Sequence, residues 1–270
     1  MLNNEQISCY RQNGFVKAEQ LFNKKETDAL ASEMVNVIEK WGQETIGWVG
    51  PWRDRYLDDS ERLNTKAVFM HNPQHYSATW GRVIFHEGMV SCLQQLIDGP
   101  VQYHHTVLHA KPPDKGTPFP MHQDYPFYPH DGLDFVDCLL HLDDTPLESG
   151  ALMVVPGSHK LGPLEHVLGP DTAPHLPLDK YHPDHLESIA VPAKKGDVIF
   201  FNYQTIHWSD CNRTEEWRKS VRFGYHSTLL RPIGRGADNP HWIDPNNILE
   251  RNNNIIVSGF RNNDGEPAAS

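Results

Sequence analysis

The chain has 270 residues, enough for one large domain that buries a core and still encloses a pocket. Its formal net charge of −11 argues against a nucleic-acid surface, which needs clustered Lys and Arg to displace counterions. Four widely spaced cysteines fit neither a zinc site nor a disulfide framework, and no signal peptide or membrane-spanning stretch is evident. These features predict a cytoplasmic protein with reduced thiols.

The first hundred residues are predicted to be largely helical. Residues 3–13, 24–41 and 80–98 space their apolar residues at intervals of three and four. Asn23 is a candidate N-cap for the second of these helices. Residues 45–75 mix Gly, Trp and charged residues without a clean period, which predicts an irregular segment lying over other structure.

Short strand-like runs begin near residue 100 and alternate with turn residues. This rhythm is typical of a double-stranded β-helix, the jelly-roll or cupin-like core. The prediction is a mainly β protein with N-terminal helices, forming a single domain over 1–270. Its parts are a helical region at 1–99, a jelly roll at 100–230 and an irregular extension at 231–270.

A His-x-Asp motif stands in the stretch "FPMHQDYPFYPH", with His122 and Asp124 on the same side of a strand end. The chain has 17 histidines, so one such motif is expected by chance, and a second is present at His182 and Asp184. His207 ends a later strand. Two histidines and one carboxylate hold one face of a ferrous ion and leave positions open for chemistry.

An arginine follows these candidate ligands. Arg218 comes after a polar turn, so an antiparallel return would bring it near His207, where a guanidinium can bind a carboxylate through two hydrogen bonds. Ser220 and Arg222 share its face. Taken singly, His207 is more often a core or loop histidine and Arg218 a surface ion-pair partner, so the prediction rests on the conjunction.

The strand "VQYHHTVLHAK" predicts an unusually polar barrel interior. Simple alternation places Tyr103, His105, Val107 and His109 on the face of Lys111. With Arg222, and with Arg53, Arg55 and Lys66 of the irregular segment, these residues are candidates for binding a small anionic or zwitterionic molecule. Solvated faces or structural ion pairs are the alternative roles.

The sequence resembles the phytanoyl-CoA dioxygenase family of Fe(II)- and 2-oxoglutarate-dependent oxygenases over most of its length. The resemblance is carried by the opening "EQISCYRQNGFVKAEQLFNKKETDAL", "KPPD", "HQDYPFY", "ESGALMVVPGSHK" and "KGDVIFFNYQTIHWSDCNRTEEWRKS". The most specific features are His-Gln-Asp, the Pro-Gly-Ser-His motif and the interval from His207 to Arg218.

The resemblance implies that His122, Asp124 and His207 bind iron and that Arg218, helped by Ser209, binds the distal carboxylate of 2-oxoglutarate. It also implies that Lys111 contacts this cosubstrate and that Gln123 lies near the iron. O₂ is the other cosubstrate.

Two positions refine this expectation. Some members of the family carry a Trp beside the cosubstrate, where this chain has Leu140, so this wall of the cosubstrate pocket is expected to differ. Halogenases of the family replace the metal carboxylate by a small residue. The presence of Asp124 therefore favours hydroxylation.

We expect the hydroxylation of a small polar or anionic metabolite, such as an amino acid derivative or an organophosphonate, with no nucleic-acid or membrane partner. Residues 45–75 are too charged to suggest the apolar channel that an acyl-CoA needs. The alternatives are an acyl-CoA hydroxylase, a non-catalytic metal-binding jelly roll, and a cupin-like metal isomerase or hydrolase.

Overall fold

The computed structural model describes residues 1–41, 43–45, 67–113, 116–169, 172–233 and 255–259. Within these ranges the chain forms four α-helices. Their bounds are α1 (Asn4–Asn13), α2 (Lys24–Trp41), α3 (Ala78–Val83) and α4 (Glu87–Leu96). None of these helices is both long enough and apolar enough to cross a membrane.

The expected N-cap of α2 is confirmed. The Asn23 side chain accepts a hydrogen bond from the backbone of Glu26 at 3.0 Å, and the Glu26 carboxylate accepts one from the backbone of Asn23 at 2.8 Å. Such a reciprocal pair satisfies two backbone donors that the first turn of a helix leaves open.

Fourteen strands lie in the described ranges. They are β1 (Phe15–Ala18), β2 (Gln43–Thr45), β3 (Ala67–His71), β4 (Val101–Lys111), β5 (Phe119–His122), β6 (Phe135–His141), β7 (Leu152–Val154), β8 (Val167–Gly169), β9 (Thr172–His175), β10 (Ile189–Val191), β11 (Val198–Asn202), β12 (His207–Ser209), β13 (Arg218–Ser227) and β14 (Ile255–Ser258).

Two antiparallel sheets face each other. The larger runs in the order β1-β11-β6-β13-β4-β3-β2, with β14 also paired to β4, and the smaller runs β10-β7-β12-β5. Strands β8 and β9 form a separate hairpin. This arrangement, with helices before it in the chain, confirms the expected mainly β fold with a jelly-roll core.

Four strands lie where the sequence predicted helical or irregular chain. Strand β1 pairs with β11, β2 pairs with β3, β3 also pairs with β4 from Val68 to His71, and β14 pairs with the start of β4. Each is at most five residues long. Short strands of this kind leave too few residues for a period of two to be recognised.

The larger sheet is buried on both faces. Cys138 and Leu140 of β6 pack into the core beneath the helices, together with Met34 of α2 and Trp80 of α3. Leu139, which points the other way, packs between the two sheets. Burial on both sides explains why β6 is a continuous apolar run rather than an alternating one.

Gly150 lies in the turn before β7 and has a φ of +78°. A Cβ atom there would lie 2.3 Å from the carbonyl oxygen of Asp210. We expect Gly150→Ala to lower the free energy of unfolding by about 1–3 kcal/mol, because it combines backbone strain with a clash. Urea unfolding measures this loss.

The matched control is Gly81→Ala within α3, where an added Cβ would meet no atom within 4 Å. Alanine favours helix over glycine, so this variant should gain about 0.5–1 kcal/mol. Equal stability of the two variants would contradict the turn geometry.

Candidate metal centre and its cavity

Pairing of β5 with β12 brings His122 and His207 together. The two residues are direct partners across the antiparallel pair, although 85 positions separate them in the chain. Their ring centroids lie 4.2 Å apart. Asp124 follows at the start of a short 3₁₀ helix, Tyr125–Phe127. Each of the three residues offers one ligand atom within 4.8 Å of the others, and all three are buried.

Hydrogen bonds fix which nitrogen of each histidine faces the space between the three candidate ligands. His122 donates from Nδ1 to the carbonyl of Pro120 at 2.6 Å, and His207 donates from Nδ1 to the carbonyl of Thr205 at 2.9 Å. Because a carbonyl only accepts, Nδ1 carries a proton in each ring, which leaves Nε2 as the nitrogen that can bind a metal. Both Nε2 atoms lie near Asp124, at 3.5 Å from Oδ1 and 3.7 Å from Oδ2 respectively.

The carboxylate of Asp124 is suited to a cation. Burial alone would raise the pKa of Asp124, but Arg222, His207 and His122 outweigh it and hold the pKa well below its usual range. Its Oδ1 accepts a hydrogen bond from Arg222, whereas its buried Oδ2 has no hydrogen-bond partner among the described residues. Burial lowers the pKa of His207 to about 3, so its imidazole is neutral. Two imidazole nitrogens and an orphaned carboxylate oxygen fit a ferrous ion.

A cavity of about 240 Å³ opens beside these three residues, between the two sheets. Among its described lining residues, the charged side chains are those of Asp124, Arg218 and Arg222. Aromatic side chains form much of the remaining wall, from Phe69, Phe119, Phe127, Phe201 and Trp208.

Arg218 lies at the far end of this cavity from Asp124, at the start of β13. It is only 4% exposed, and burial lowers its pKa to about 10, so it remains a cation. Its Nε and the hydroxyl of Ser220 are buried without a hydrogen-bond partner in the described structure. Buried donors without acceptors are costly, and an anion that accepts from them removes the cost.

Lys111 is buried beside Arg218, its partner across β4 and β13, but it is absent from the cavity wall. Its Nζ donates to the hydroxyl of Ser209 at 2.8 Å and to the carbonyl of Asp210 at 2.6 Å. Ser209 itself lines the cavity. The structure therefore places Ser209 where a cosubstrate can reach it, and Lys111 one contact behind.

Gln123 points away from the cavity. Its amide nitrogen donates to the carbonyls of Gly162 and Gln204, at 2.9 and 2.7 Å, and its oxygen accepts from the backbone of Leu164 at 2.9 Å. Its own backbone N–H donates to His166 at 2.9 Å. The side chain is adjacent to two candidate ligands in sequence, but its hydrogen bonds tie down the neighbouring loop.

A β-bulge separates the candidates on β4. Gly224 pairs with His105, yet the next residue of β13, Tyr225, pairs with Tyr103, which leaves His104 as the extra residue. Because side chains alternate between the two faces of a strand, one extra residue moves every side chain before it to the opposite face. Tyr103 consequently packs into the core beneath the helices, so its expected place on the cavity face was wrong.

His105 and His109 stay on the inner side of the barrel. His109 lines the cavity, whereas His105 lies deeper, with Nε2 at 3.7 Å from Oδ1 of Asp137. Burial holds the pKa of each histidine well below its usual value. Gly224 makes room for His105, because an added Cβ would lie 2.4 Å from its ring.

The remaining substrate candidates divide between the cavity and the undescribed chain. Arg222 lines the cavity and contacts Asp124. Arg53, Arg55 and Lys66 lie outside the described residues, and their roles stay predictions.

The alignment of Leu140 with a cosubstrate wall was off by one residue. Leu140 faces the helices, and its neighbour Leu139 lines the cavity. Sequence reasoning also missed Phe69 and His71 of β3, both of which line the cavity. The alternation of "VFMH" was the available signal, but the charged residues around it suggested irregular chain.

His141 gives the stability of the protein a dependence on pH. Burial, followed by the charges of Arg218 and Lys17, lowers its pKa to about 3. An unfolded histidine takes up a proton near pH 6.5, so the unfolded state binds more protons than the folded state between about pH 6.5 and 3. The free energy of unfolding therefore falls as the pH drops through this window, by about 1.4 kcal/mol per pH unit for one such group.

We expect His141→Asn to reduce the slope of stability against pH by about one proton, measured by urea unfolding at several values from pH 6.5 to 4.5. The same replacement at His182, in a partly exposed turn, is the control and should change the slope less. An unaltered slope in His141→Asn would show that His141 is not buried as a neutral ring.

Comparisons with known proteins agree with this site. Residues 10–220 match the sequence model of the phytanoyl-CoA dioxygenase (PhyH) family. The chain is 26% identical over 237 residues to a probable alpha-ketoglutarate-dependent hypophosphite dioxygenase of Stutzerimonas stutzeri, covering 85% of this chain and 80% of that protein. It is 28% identical over 254 residues to the peroxisomal phytanoyl-CoA dioxygenase of Rattus norvegicus, covering 86% and 71%.

A solved structure shows the same fold. The epimerase SnoN, in complex with Fe3+, alpha ketoglutarate and nogalamycin RO, superposes with a TM-score of 0.68 at 20% identity, covering 88% of this chain and 86% of that chain. The family match spans most of the chain and includes the three buried candidate ligands. The chain belongs to the phytanoyl-CoA dioxygenase (PhyH) family and is an iron- and 2-oxoglutarate-dependent dioxygenase.

Proposed function

We propose that this protein hydroxylates a C–H bond of a small polar or anionic molecule, and that His122, Asp124 and His207 hold its iron. One observation carries the proposal: the three candidate ligands and the buried Arg218 line a single cavity, with Arg218 four residues along β13 from Arg222, which contacts Asp124. A structural metal site has no need of the arginine.

The chain's own residues divide the work. His122 and His207 turn their Nε2 atoms toward the metal position because the carbonyls of Pro120 and Thr205 accept hydrogen bonds from their Nδ1 atoms. Arg218, with Ser220 and Ser209 beside it, binds the distal carboxylate of 2-oxoglutarate. When bound, Fe(II) and 2-oxoglutarate supply oxygen activation, in which the cosubstrate is converted to succinate and CO₂.

Lys111 is a support for this anchor. Its buried Nζ donates to the hydroxyl of Ser209 and to the carbonyl of Asp210, and it lies 5.0 Å from the centre of the Phe119 ring. These contacts hold the end of β12, and hence His207 and Ser209, in place. Substitution of Lys111 would therefore disturb the cosubstrate end of the cavity through Ser209.

The substrate class follows from the size and lining of the cavity. A volume of about 240 Å³ that must also admit 2-oxoglutarate leaves room for a small molecule. Neutral histidines and the arginines suit a polar one, whereas a long acyl chain would need a continuous apolar channel. A relative that is named phytanoyl-CoA dioxygenase keeps acyl-CoA thioesters as the alternative to test.

The deciding experiment measures succinate formed from 2-oxoglutarate by the purified protein with Fe(II) and air. Small carboxylic acids, amino acid derivatives and phosphonates are compared with acyl-CoA thioesters, and the products are identified by mass spectrometry. We expect stimulation by members of the first group and a product heavier by one oxygen. Stimulation by acyl-CoA thioesters alone would overturn the substrate proposal.

We further propose a single-domain cytoplasmic enzyme. All four cysteines, Cys9, Cys92, Cys138 and Cys211, are free, as is usual where thiols stay reduced. The family match runs from the helical part into the last strand of the jelly roll, which supports one unit.

A further inference from the structure

Arg222 is a second guanidinium in the cavity, and the cosubstrate does not account for it. It lies four residues after Arg218 on the same face of β13, which separates their Cα atoms by about 13 Å. Arg222 is at the metal end, where it donates from Nη1 to Oδ1 of Asp124. The distal carboxylate of 2-oxoglutarate is already served by Arg218 at the other end.

Arg222 has donors left after this contact. A guanidinium has five N–H groups in a planar fork, and its Nε–H is buried without an acceptor among the described residues. The side chain is 17% exposed and extends over the ring of Tyr128, 5.9 Å from its centre. Its guanidinium can therefore donate to Asp124 from one edge and to a bound anion from another.

A histidine lies in the same row of the sheet. His71 pairs with Val107, and Val107 pairs with Arg222, so the three stand across adjacent strands β3, β4 and β13. His71 lines the cavity. Burial and the charge of Arg222 lower the pKa of His71, so it offers a neutral N–H donor rather than a second cation.

The charges along the described wall favour an anion. Along this wall, Arg218 and Arg222 contribute two positive charges and Asp124 contributes one negative charge, which leaves an excess of one positive charge. Fe(II) and the 2-oxoglutarate dianion cancel each other, so the excess remains after both have bound. A monoanion would neutralise it, and a buried uncompensated charge is costly.

We infer that Arg222 and His71 form the acid-binding part of the substrate pocket. The substrate is then a small molecule with one oxoacid group, either a carboxylate or a phosphorus oxoacid. This inference rests on the proposed function, because it places the substrate beside the metal ligands and opposite 2-oxoglutarate.

Three probes of similar size test it by titration calorimetry on protein loaded with Ni(II) and 2-oxoglutarate: butanoate, propylphosphonate and butanamide. We expect one or both anions to bind at least about 10-fold more tightly than the amide, as charge-assisted hydrogen bonds require. The two anions separate a carboxylate from a phosphorus oxoacid. Arg222→Gln should abolish the preference for anions, because the side-chain amide of the introduced Gln can still reach Asp124 but carries no charge.

Lys219→Gln is the matched control. It removes one positive charge from the neighbouring position of β13, where Lys219 pairs with Asp143 at 2.9 Å and lies outside the cavity wall. It should keep the anion preference. Arg222→Lys, which retains the charge, should also keep a preference for anions over the amide, and thermal melting verifies that each variant is folded.

The outcomes separate the inference from the function on which it rests. Equal binding of the probes to the wild type, or an anion preference that survives Arg222→Gln, would overturn the inference. A loss of 2-oxoglutarate affinity in Arg222→Gln with the preference intact would assign Arg222 to the cosubstrate and overturn it as well. Failure of the wild type to bind 2-oxoglutarate with metal would instead contradict the proposed function, and the inference would fall with it.

Discussion

His207→Ala is expected to lower the affinity for Fe(II) by more than about 100-fold, since loss of an outer partner of a metal ligand already costs 10–100-fold. The variant removes one of three buried ligand atoms that lie within 4.8 Å of one another. Turnover of 2-oxoglutarate should be lost with it. Metal content after dialysis and a calorimetric titration with Fe(II) under argon measure the effect directly, without reference to activity.

The second His-x-Asp motif provides the control for this variant. His182 and Asp184 have the same spacing as His122 and Asp124, and Nδ1 of His182 lies 3.4 Å from Oδ2 of Asp184. The carboxylate is 65% exposed, and no third ligand joins the pair among the described residues. His182→Ala should bind iron as the wild type does. Iron retained by His207→Ala would show that the metal is bound elsewhere.

Arg218→Met is expected to weaken 2-oxoglutarate binding by about 2–5 kcal/mol, or roughly 30- to 4,000-fold, because it leaves a buried carboxylate without its cation. Iron affinity should change little, since Arg218 lies at the other end of the cavity from Asp124. Titration of 2-oxoglutarate into the metal-loaded protein measures the loss.

Arg213→Met serves as the matched control for Arg218. Arg213 is exposed in the turn that precedes β13. Its backbone N–H donates to the carbonyl of Glu148 at 2.9 Å, a hydrogen bond that Met at this position can also make. Its replacement should leave the affinity for 2-oxoglutarate unchanged. If Arg218→Met also bound 2-oxoglutarate normally, the assignment of the distal carboxylate to Arg218 would be wrong.

The sequence predicted the parts of the site that depend on local pattern and on strand order. His122 and Asp124 stand two apart at a strand end, as predicted. His207 was predicted to end the strand that begins at Val198, but that strand ends at Asn202 and His207 begins β12. An antiparallel barrel then has few ways to arrange them. The position of Arg218 followed from the short polar turn after His207.

The sequence could not show where alternation fails. The bulge at His104 reverses the face of Tyr103, and nothing in "VQYHHTVLHAK" marks it, because the cause lies in the pairing with β13. The direction of Gln123 was equally hidden. Its partners, Gly162 and Gln204, come from loops 39 and 81 positions away.

Long-range pairing also decided the role of Lys111. The family resemblance, through the "KPPD" motif, implied direct contact of Lys111 with the cosubstrate. In the fold its Nζ donates to the Ser209 hydroxyl and to the Asp210 carbonyl. A basic side chain that satisfies buried neighbours and one that awaits a ligand look identical in the sequence until the partners are known.

If one cavity couples iron to 2-oxoglutarate for oxidation, the reaction has a fixed stoichiometry that can be measured. O₂ uptake, 2-oxoglutarate consumption and succinate formation should be measured together for the wild type with Fe(II) and a stimulating substrate. We expect equal amounts of all three, and none in His207→Ala or without iron. Succinate formed at the same rate in His207→Ala, or substrate turnover that needs neither O₂ nor 2-oxoglutarate, would contradict it.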